Sequence, residues 1–312
     1  MFAYVLRRAL WSVPVILVST FLAFALVKEM PSEPFTDNPK LAPSVRDNLR
    51  ELYGLDDPYL KQYADFVTDL VQGDFGLSTK PGHREVREVI TETLPTSMLL
   101  GACAFAFAAF IGIGLGVISA LKANGITDYV ITFFATMAFA LPSFVVATLW
   151  VSGKIYLPPP IGTLQFEFPY GWDSWGDRIG PILVLGLSIM PYFTRLVRSS
   201  MLEALQQEYI TTSRAKGLSW RRTVVRHALR NSMIPTVINA GPLFAFVLTG
   251  SFIIERIMIV PGVADLFIDA FDSPVDSRMV LATTVLLSVL IVVLNLIVDM
   301  IVAVLDPRIA RD

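Results

Sequence analysis

Apolar blocks without a single charge recur along this chain at close to the length a membrane demands, and no other feature restricts its fold as strongly. A helix needs about 20 apolar residues to cross a hydrocarbon core of about 30 Å. Blocks of that order run Ala9–Val27, Leu94–Leu121, Tyr129–Gly153, Ile179–Thr194, Met233–Ile254 and Val280–Val298. The fourth is short, but Leu196 and Val197 extend it past Arg195, whose long side chain can snorkel to the interface. About six spans are expected. With 54% hydrophobic and 17% charged residues, the chain has more apolar surface than a soluble globule can hide.

The short links between blocks set the orientation, because Lys and Arg favour the cytoplasmic side. Arg195, Arg198, Arg214, Lys216, Arg221, Arg222, Arg226 and Arg230 crowd the link after the fourth block, against Glu203 and Glu208. That link is expected in the cytoplasm. The next link carries Glu255, Asp265, Asp269, Asp272 and Asp276 against Arg256 and Arg278, which suits the external face. Both termini are then cytoplasmic, in agreement with Arg7, Arg8, Arg308 and Arg311. Arg7-Arg8 followed by a run ending at Ala23-Phe24-Ala25 has the layout of a secretory signal. The run exceeds the ~7–15-residue apolar region of such signals, so it is read as a retained first span. The expected architecture is an all-α, polytopic membrane bundle: 1–28 the tail and first span, 29–93 an external helical cap, and 94–312 the core, with a cytoplasmic loop at 195–232.

Within the external segment, helix start and stop signals mark two short helices. Ser44 caps the first, with Val45, Leu49 and Leu52 on one face and Gly54 at its end. Asp57-Pro58 opens the second; Leu60, Tyr63, Phe66, Val67 and Leu70 form its stripe and Gly73 closes it. These stripes are expected to pack on one another and on the membrane surface. Val86, Val89 and Ile90 beside Arg84, Glu85, Arg87 and Glu88 read as an interfacial elbow before Leu94-Pro95. Pro158-Pro159-Pro160 stiffens the link after the third block, and Phe166, Phe168, Tyr170, Trp172 and Trp175 supply an aromatic interface belt. Gly112 and Gly116, following a run of alanines, allow close approach of another helix backbone; the same glycines also suit a hollow facing substrate.

Several chemistries lack their residues. There is no G-x-x-x-x-G-K-[ST] run, so the chain has no P-loop with which to hydrolyse ATP. The only histidines, His83 and His227, fall on opposite faces of the membrane under this topology and cannot share a catalytic site. Metal ligands do not cluster, and Cys103 is a lone thiol in an apolar stretch. No ionisable group lies inside the apolar blocks; Asp299, one turn after Asn295, is expected to make an ion pair at the cytoplasmic interface. This disfavours proton- or ion-coupled carriers, which place such groups deep in the bilayer. Nothing suggests nucleic acid.

The most informative stretch runs from Glu208 to Asn231. Glu208-Tyr209-Ile210-Thr211-Thr212-Ser213-Arg214-Ala215-Lys216 reads as a helix stopped by Gly217, which takes positive φ without a Cβ clash. Ser219 is placed to cap a second helix beginning at Trp220. The result is a basic helical knob between two spans, with Trp220 expected to anchor it at the membrane or against a neighbouring helix.

This stretch resembles the cytoplasmic loop of bacterial ABC importer permeases, in the form typical of the oligopeptide, dipeptide and nickel permease family: Arg214-Ala215-Lys216-Gly217-Leu218, then Arg226-His227-Ala228-Leu229-Arg230. Thr211-Thr212-Ser213 replaces the Glu-Ala-Ala of the broader importer signature, which suits the peptide branch. The resemblance continues at Tyr4, Arg7-Arg8, Tyr53-Gly54-Leu55-Asp56, Gln62-Tyr63, Gly73-Asp74-Phe75-Gly76, Pro142-Ser143-Phe144, Glu255, Pro261-Gly262 and Asp306-Pro307-Arg308. Pro34-Phe35-Thr36 is similar to oligopeptide permeases, closest to their B-type subunit. Asp272-Ser273-Pro274-Val275 departs from the family's usual Arg-Asp-Tyr-type segment.

The resemblance implies the type I ABC importer permease fold in a bacterial inner membrane. It also implies a second homologous permease, two cytoplasmic subunits that bind ATP and magnesium, an external binding protein and a peptide substrate, with no cofactor in this chain. Nickel chelates, glutathione or another small solute are the alternatives within the family; an ion-coupled carrier or a membrane scaffold are the alternatives outside it. By the same resemblance Glu203, Thr211, Ser213, Arg214, Ala215, Lys216, Gly217 and Leu218 form the ATPase-coupling loop. Glu255, Pro261 and Gly262 are external gate candidates.

Overall fold

The computed structural model describes residues 2–29, 44, 56–78, 80, 84–156, 163–272 and 275–305. Helices dominate. In chain order they are α1 (Phe2–Lys28), α2 (Tyr59–Gln72), α3 (Val86–Leu121), α4 (Ile126–Ala140), α5 (Ser143–Ser152), α6 (Trp175–Leu205), α7 (Glu208–Ala215), α8 (Trp220–Leu248), α9 (Phe252–Ile257), α10 (Val263–Asp269) and α11 (Ser277–Leu305). The bundle is all-α as expected, and between α5 and α6 one short strand pair is added, β1 (Lys154–Tyr156) antiparallel to β2 (Thr163–Gln165). α5 has already closed at its C-cap Gly153, and Phe166 N–H returns to the Gly153 carbonyl at 2.6 Å, so strand pairing satisfies main-chain groups that no helix could.

Among the described residues, five helices are long and apolar enough to cross a membrane, and the bent pair α4–α5 makes a sixth span if taken as one. The expected third span, Tyr129–Gly153, is therefore not a straight rod. α4 and α5 meet at 89° around Leu141-Pro142. Pro142 has no N–H to continue the ladder, and its ring pushes Leu141 into extended geometry (φ −80°, ψ 119°).

Two further boundaries differ from expectation. The elbow at Val86–Ile90 is not a separate helix, because α3 runs straight through Pro95. Val86 and Ile90 are buried beside Phe66, Met279 and Val280. Burial of two such side chains contributes about 1.5–3 kcal/mol each, enough to offset the ~3 kcal/mol that an interior proline costs. The fifth span does not begin at Met233. The knob's second helix and the span are one continuous helix of 29 residues that ends at Leu248, after which α9 forms on its own.

The chain forms two compact units, Met1–Thr96 with Pro261–Ile297 and Ser97–Val260 with Val298–Asp312. In the first, Phe24 and Val27 of α1, Phe66 of α2 and Met279, Leu281 and Val285 of α11 share one core. Of the predicted stripe of α2, Tyr63, Phe66, Val67 and Leu70 join this core, whereas Leu60 is exposed. Tyr63 meets Phe21 edge-on at 5.2 Å, and its hydroxyl lies 2.8 Å from Thr20 Oγ1. α2 ends at Gly73 as expected (φ 78°). The Ser44 helix, the Pro158–Pro160 stretch and the Pro34 and Asp306 motifs lie outside the described residues.

The second unit is built on α3 and α6. Leu100, Ala104 and Ala108 face Val184, Ile189, Met190 and Phe193, with Ala147, Val247 and Ile254 completing the core. A β-carbon on Gly112 would lie 2.7 Å from the Met190 carbonyl oxygen, and one on Gly116 would lie 2.7 Å from the Thr194 carbonyl oxygen. Both glycines thus sit where α6 backbone passes α3 too closely for any side chain. Of the aromatic belt, Trp172 instead belongs to this core, while Phe166, Phe168, Tyr170 and Trp175 are exposed.

Candidate functional site

The basic segment forms the expected knob, and its construction follows from its residues. α6 continues beyond the expected extension at Val197 to Leu205, so the turn that starts the knob, at Gln206, lies eleven residues beyond the expected loop start at Arg195. Arg195 is accommodated inside that helix, its guanidinium 3.9 Å from the centre of the Phe139 ring. Gln207 then turns the chain into α7.

α7 is amphipathic on a small scale. Ile210 is buried and packs with Ala120 of α3, Val197 and Met201 of α6, and Val224 and Ala228 of α8. Each of these larger side chains contributes about 1.5–3 kcal/mol on burial. The knob is therefore seated on the ends of α3 and α6 by an apolar root. Ser213 is also buried, and its hydroxyl donates to the Tyr209 carbonyl at 2.7 Å. Of the expected coupling-loop residues it is the buried one.

The tip is a C-terminal cap of the Schellman type. Gly217 N–H donates to the Arg214 carbonyl at 2.9 Å and Leu218 N–H to the Ser213 carbonyl at 3.3 Å. This geometry puts Gly217 at φ 79°, and nothing lies within 4 Å of where its β-carbon would be. The glycine is thus required by torsion alone. Thr211, Arg214, Ala215, Lys216 and Gly217 are exposed and Leu218 is half-buried; Glu203 is exposed on the last turn of α6. Trp220 is also exposed, with the Arg214 guanidinium 5.6 Å from its ring centre. Ser219 holds the N-cap position of α8, but its side chain makes no capping bond among the described residues. Four residues into the knob's second helix, Val224–Leu229 adopt a π turn, and His227 is part of it.

The gate candidates belong to different units of the chain. Glu255 is fully buried in the second unit, where its carboxylate accepts from Ser251 N–H at 3.2 Å. Pro261 and Gly262 belong to the first unit, Pro261 exposed and Gly262 buried at the start of α10. No group of three or more His, Cys, Asp or Glu side chains among the described residues is arranged to hold a metal ion.

One polar arrangement was not anticipated from the sequence. Asp128, in the first turn of α4 and 2% exposed, receives a two-pronged contact from Arg198 of α6: Nε and Nη2 each lie 2.7 Å from a carboxylate oxygen. Ser119 of α3 also donates to Asp128, and Asn124 N–H does so at 2.9 Å. Asp128 stands immediately before one apolar block, and Arg198 four residues after another, in a link counted as loop. The available signal was that an acid and a base flank blocks on the same side of the predicted topology.

Residues 112–311 match the family model described as binding-protein-dependent transport system inner membrane component. The chain is 38% identical over 311 residues to the oligopeptide transport system permease protein OppB of Salmonella typhimurium, covering 99% of both chains. It is 36% identical to the dipeptide transport system permease protein DppB of Lactococcus lactis, again over 99% of each. Among solved structures, the MetNI methionine ABC transporter in an inward-facing conformation matches with a TM-score of 0.55 at 15% identity, over 69% of this chain and 95% of that one. An amino acid ABC transporter matches with a TM-score of 0.51 at 11% identity, over 71% and 94%. These last two likenesses concern the fold.

Proposed function

Since the chain belongs to the family of inner membrane components of binding-protein-dependent transport systems, we propose that it is one of two homologous permease subunits of an ATP-driven peptide importer. It spans a bacterial cytoplasmic membrane with both termini and the knob in the cytoplasm. An external binding protein delivers the peptide; two separate subunits hold ATP and magnesium and dock on the knob. The exposed tip Arg214–Gly217, borne on a helix whose other face is buried against the ends of α3 and α6, is the observation that carries this reading.

The physics of the assignment is transmission. A partner pressing on Arg214, Ala215, Lys216 and Gly217 meets no loop able to absorb the displacement. α7 is seated on α3 and α6, and the turn at Gly217 leads within three residues into α8, which continues to Leu248 without interruption. Closing and opening of the ATPase pair then becomes movement of membrane helices. Peptide is the substrate class because full-length relatives at 36–38% identity are oligopeptide and dipeptide transport system permeases. The apolar blocks supply small and apolar side chains, which suits a pathway that discriminates little among peptide side chains.

The test is reconstitution. This chain, co-expressed with its neighbouring permease, ATPase and binding-protein genes, is expected to co-purify with them and to support ATP-dependent uptake of radiolabelled trialanine into vesicles. Uptake without ATPase subunits, or no uptake of any short peptide by the assembled complex, would refute it.

A further inference from the structure

Asp128 is buried at the start of α4 while the Arg198 side chain stays 30% exposed, and such a pair is not in itself a strong source of stability, because apolar replacements of similar volume are often neutral or better. The Asp128–Arg198 contact therefore calls for a reason beyond folding. Its surroundings supply one. Asp128 gathers three segments besides its own: Ser119 at the end of α3, Asn124 N–H in the link between α3 and α4, and Arg198 on α6. The next residue along α3, Ala120, and the preceding residue along α6, Val197, are both in the apolar seat of the knob. Arg198 thus lies one residue from the seat on α6, and Ser119, which bonds the same carboxylate, lies one residue from it on α3. On its far side the ion pair holds α4, which runs from Asp128 to the 89° break at Leu141-Pro142.

We infer that Asp128 and Arg198 are a positioning pair that yokes α4, the first limb of the broken span, to the seat of the knob, so that displacement of the knob moves that limb. This rests on the coupling reading above and adds to it a second output, besides α8. The geometry suits a yoke. A guanidinium fork bonded to both carboxylate oxygens resists rotation as well as separation. The carboxylate's remaining acceptor sites are occupied by Ser119 and Asn124, so it has no freedom to follow Arg198 alone. Arg195, one turn away on α6, rests on Phe139 near the other end of α4 and gives the limb a second point of attachment.

The experiment uses the full complex in vesicles with trialanine and reads uptake per ATP hydrolysed, a ratio that a loss of folded protein does not change. Asp128→Asn keeps the side chain's size and removes its charge; Arg198→Lys keeps charge and removes the fork. Asp128→Leu with Arg198→Met replaces the pair by apolar packing. The ratio is expected to fall about tenfold in Asp128→Asn and in the apolar double variant, and about threefold in Arg198→Lys, in the range of couplings measured along transmission networks. If Asp128→Asn does not assemble, the double variant decides, since packing is restored without the yoke. A wild-type ratio in whichever of these assembles shows that the pair only stabilises the fold and overturns the inference. Gly217→Pro, measured in parallel, separates the two ideas. If it uncouples while the pair variants do not, the yoke alone is wrong; if it transports normally, the coupling reading fails first.

Discussion

Two turns of the second unit solve the same problem in opposite ways. The link between α3 and α4, Lys122–Gly125, is closed by charge: Gly125 N–H bonds the Lys122 carbonyl at 3.0 Å, Asn124 takes φ 61°, and the Asp128 carboxylate accepts from Asn124 N–H and from Arg198. The turn between α7 and α8 has no such tie. Its tip is exposed and its glycine has open space around it; the tip is held by the two main-chain bonds of its cap and by the apolar root one helix turn behind. The first turn commits the buried Asp128 carboxylate to internal partners, while Lys122 and Asn124 stay exposed. A turn fixed from behind keeps its surface available while remaining rigid, which is what a docking element needs.

The sharpest way to break this contrast is Gly217→Pro. Proline fixes φ near −65° and removes the N–H that bonds Arg214, whereas the native φ is 79°. Uptake of trialanine by the complex is expected to be abolished with co-purification of all subunits intact. Gly217→Ala, which adds a β-carbon into open space, faces only the torsional cost of about 1–2 kcal/mol and is expected to retain partial uptake. Equal loss in both would mean that the tip is sterically filled by a partner and not merely shaped by torsion.

Ile210→Ala attacks the root in place of the tip. Truncating a buried isoleucine costs about 2–5 kcal/mol, here drawn from a small cluster. Hydrogen exchange of α7 amides in the purified permease pair is expected to accelerate by orders of magnitude while the amides of α3 near Leu100 stay protected. Unchanged exchange in α7 would show that the knob does not depend on its root. Gly116→Ala places a β-carbon 2.7 Å from the Thr194 carbonyl oxygen, an overpacking of about 1–3 kcal/mol. A lower melting temperature in detergent is expected, with uptake per ATP unchanged in the protein that survives. The smallest effect belongs to Lys216→Ala. As an exposed substitution it is expected to leave stability within about 0.5 kcal/mol. It should weaken ATPase association measurably at low salt and less at high salt, since exposed charges are screened.

The sequence revealed what depends on composition and local chemistry. The spans followed from charge-free length, α2 from a stripe between Asp57-Pro58 and Gly73, and the knob from Gly217 after a basic helix. It concealed what depends on which rule wins between neighbours. Pro95 and Pro142 look alike in an apolar run, yet one is carried inside α3 and the other breaks a span. The difference lies in burial of Val86 and Ile90 by residues distant in sequence. Arg198 reads as part of the link because it is charged, and its place inside α6 goes with a partner, Asp128, that lies far away in sequence. Nothing in the sequence around Ser213 marks it as buried; its hydroxyl is satisfied by the Tyr209 carbonyl.

The π turn at Val224–Leu229 bears on which changes in chain length this segment can absorb. Thr223 and Val224, then Ala228, Ser232 and Thr236 are buried, a spacing of four that a strict α-helix would let drift by about 40° at each step, since each residue advances it by about 100°. A wider turn takes up part of that drift by holding one residue more than an α turn does. It is in this sense a one-residue insertion already in place. Deleting a residue there converts it to ordinary helix with the hydrophobic phase of the membrane part intact. The same deletion a turn later, beyond Arg230, leaves the wide turn and rotates everything after it by about 100°. Two deletions a few residues apart in the gene are thus very different events for the protein: one straightens a helix, and the other turns its buried face to the lipid.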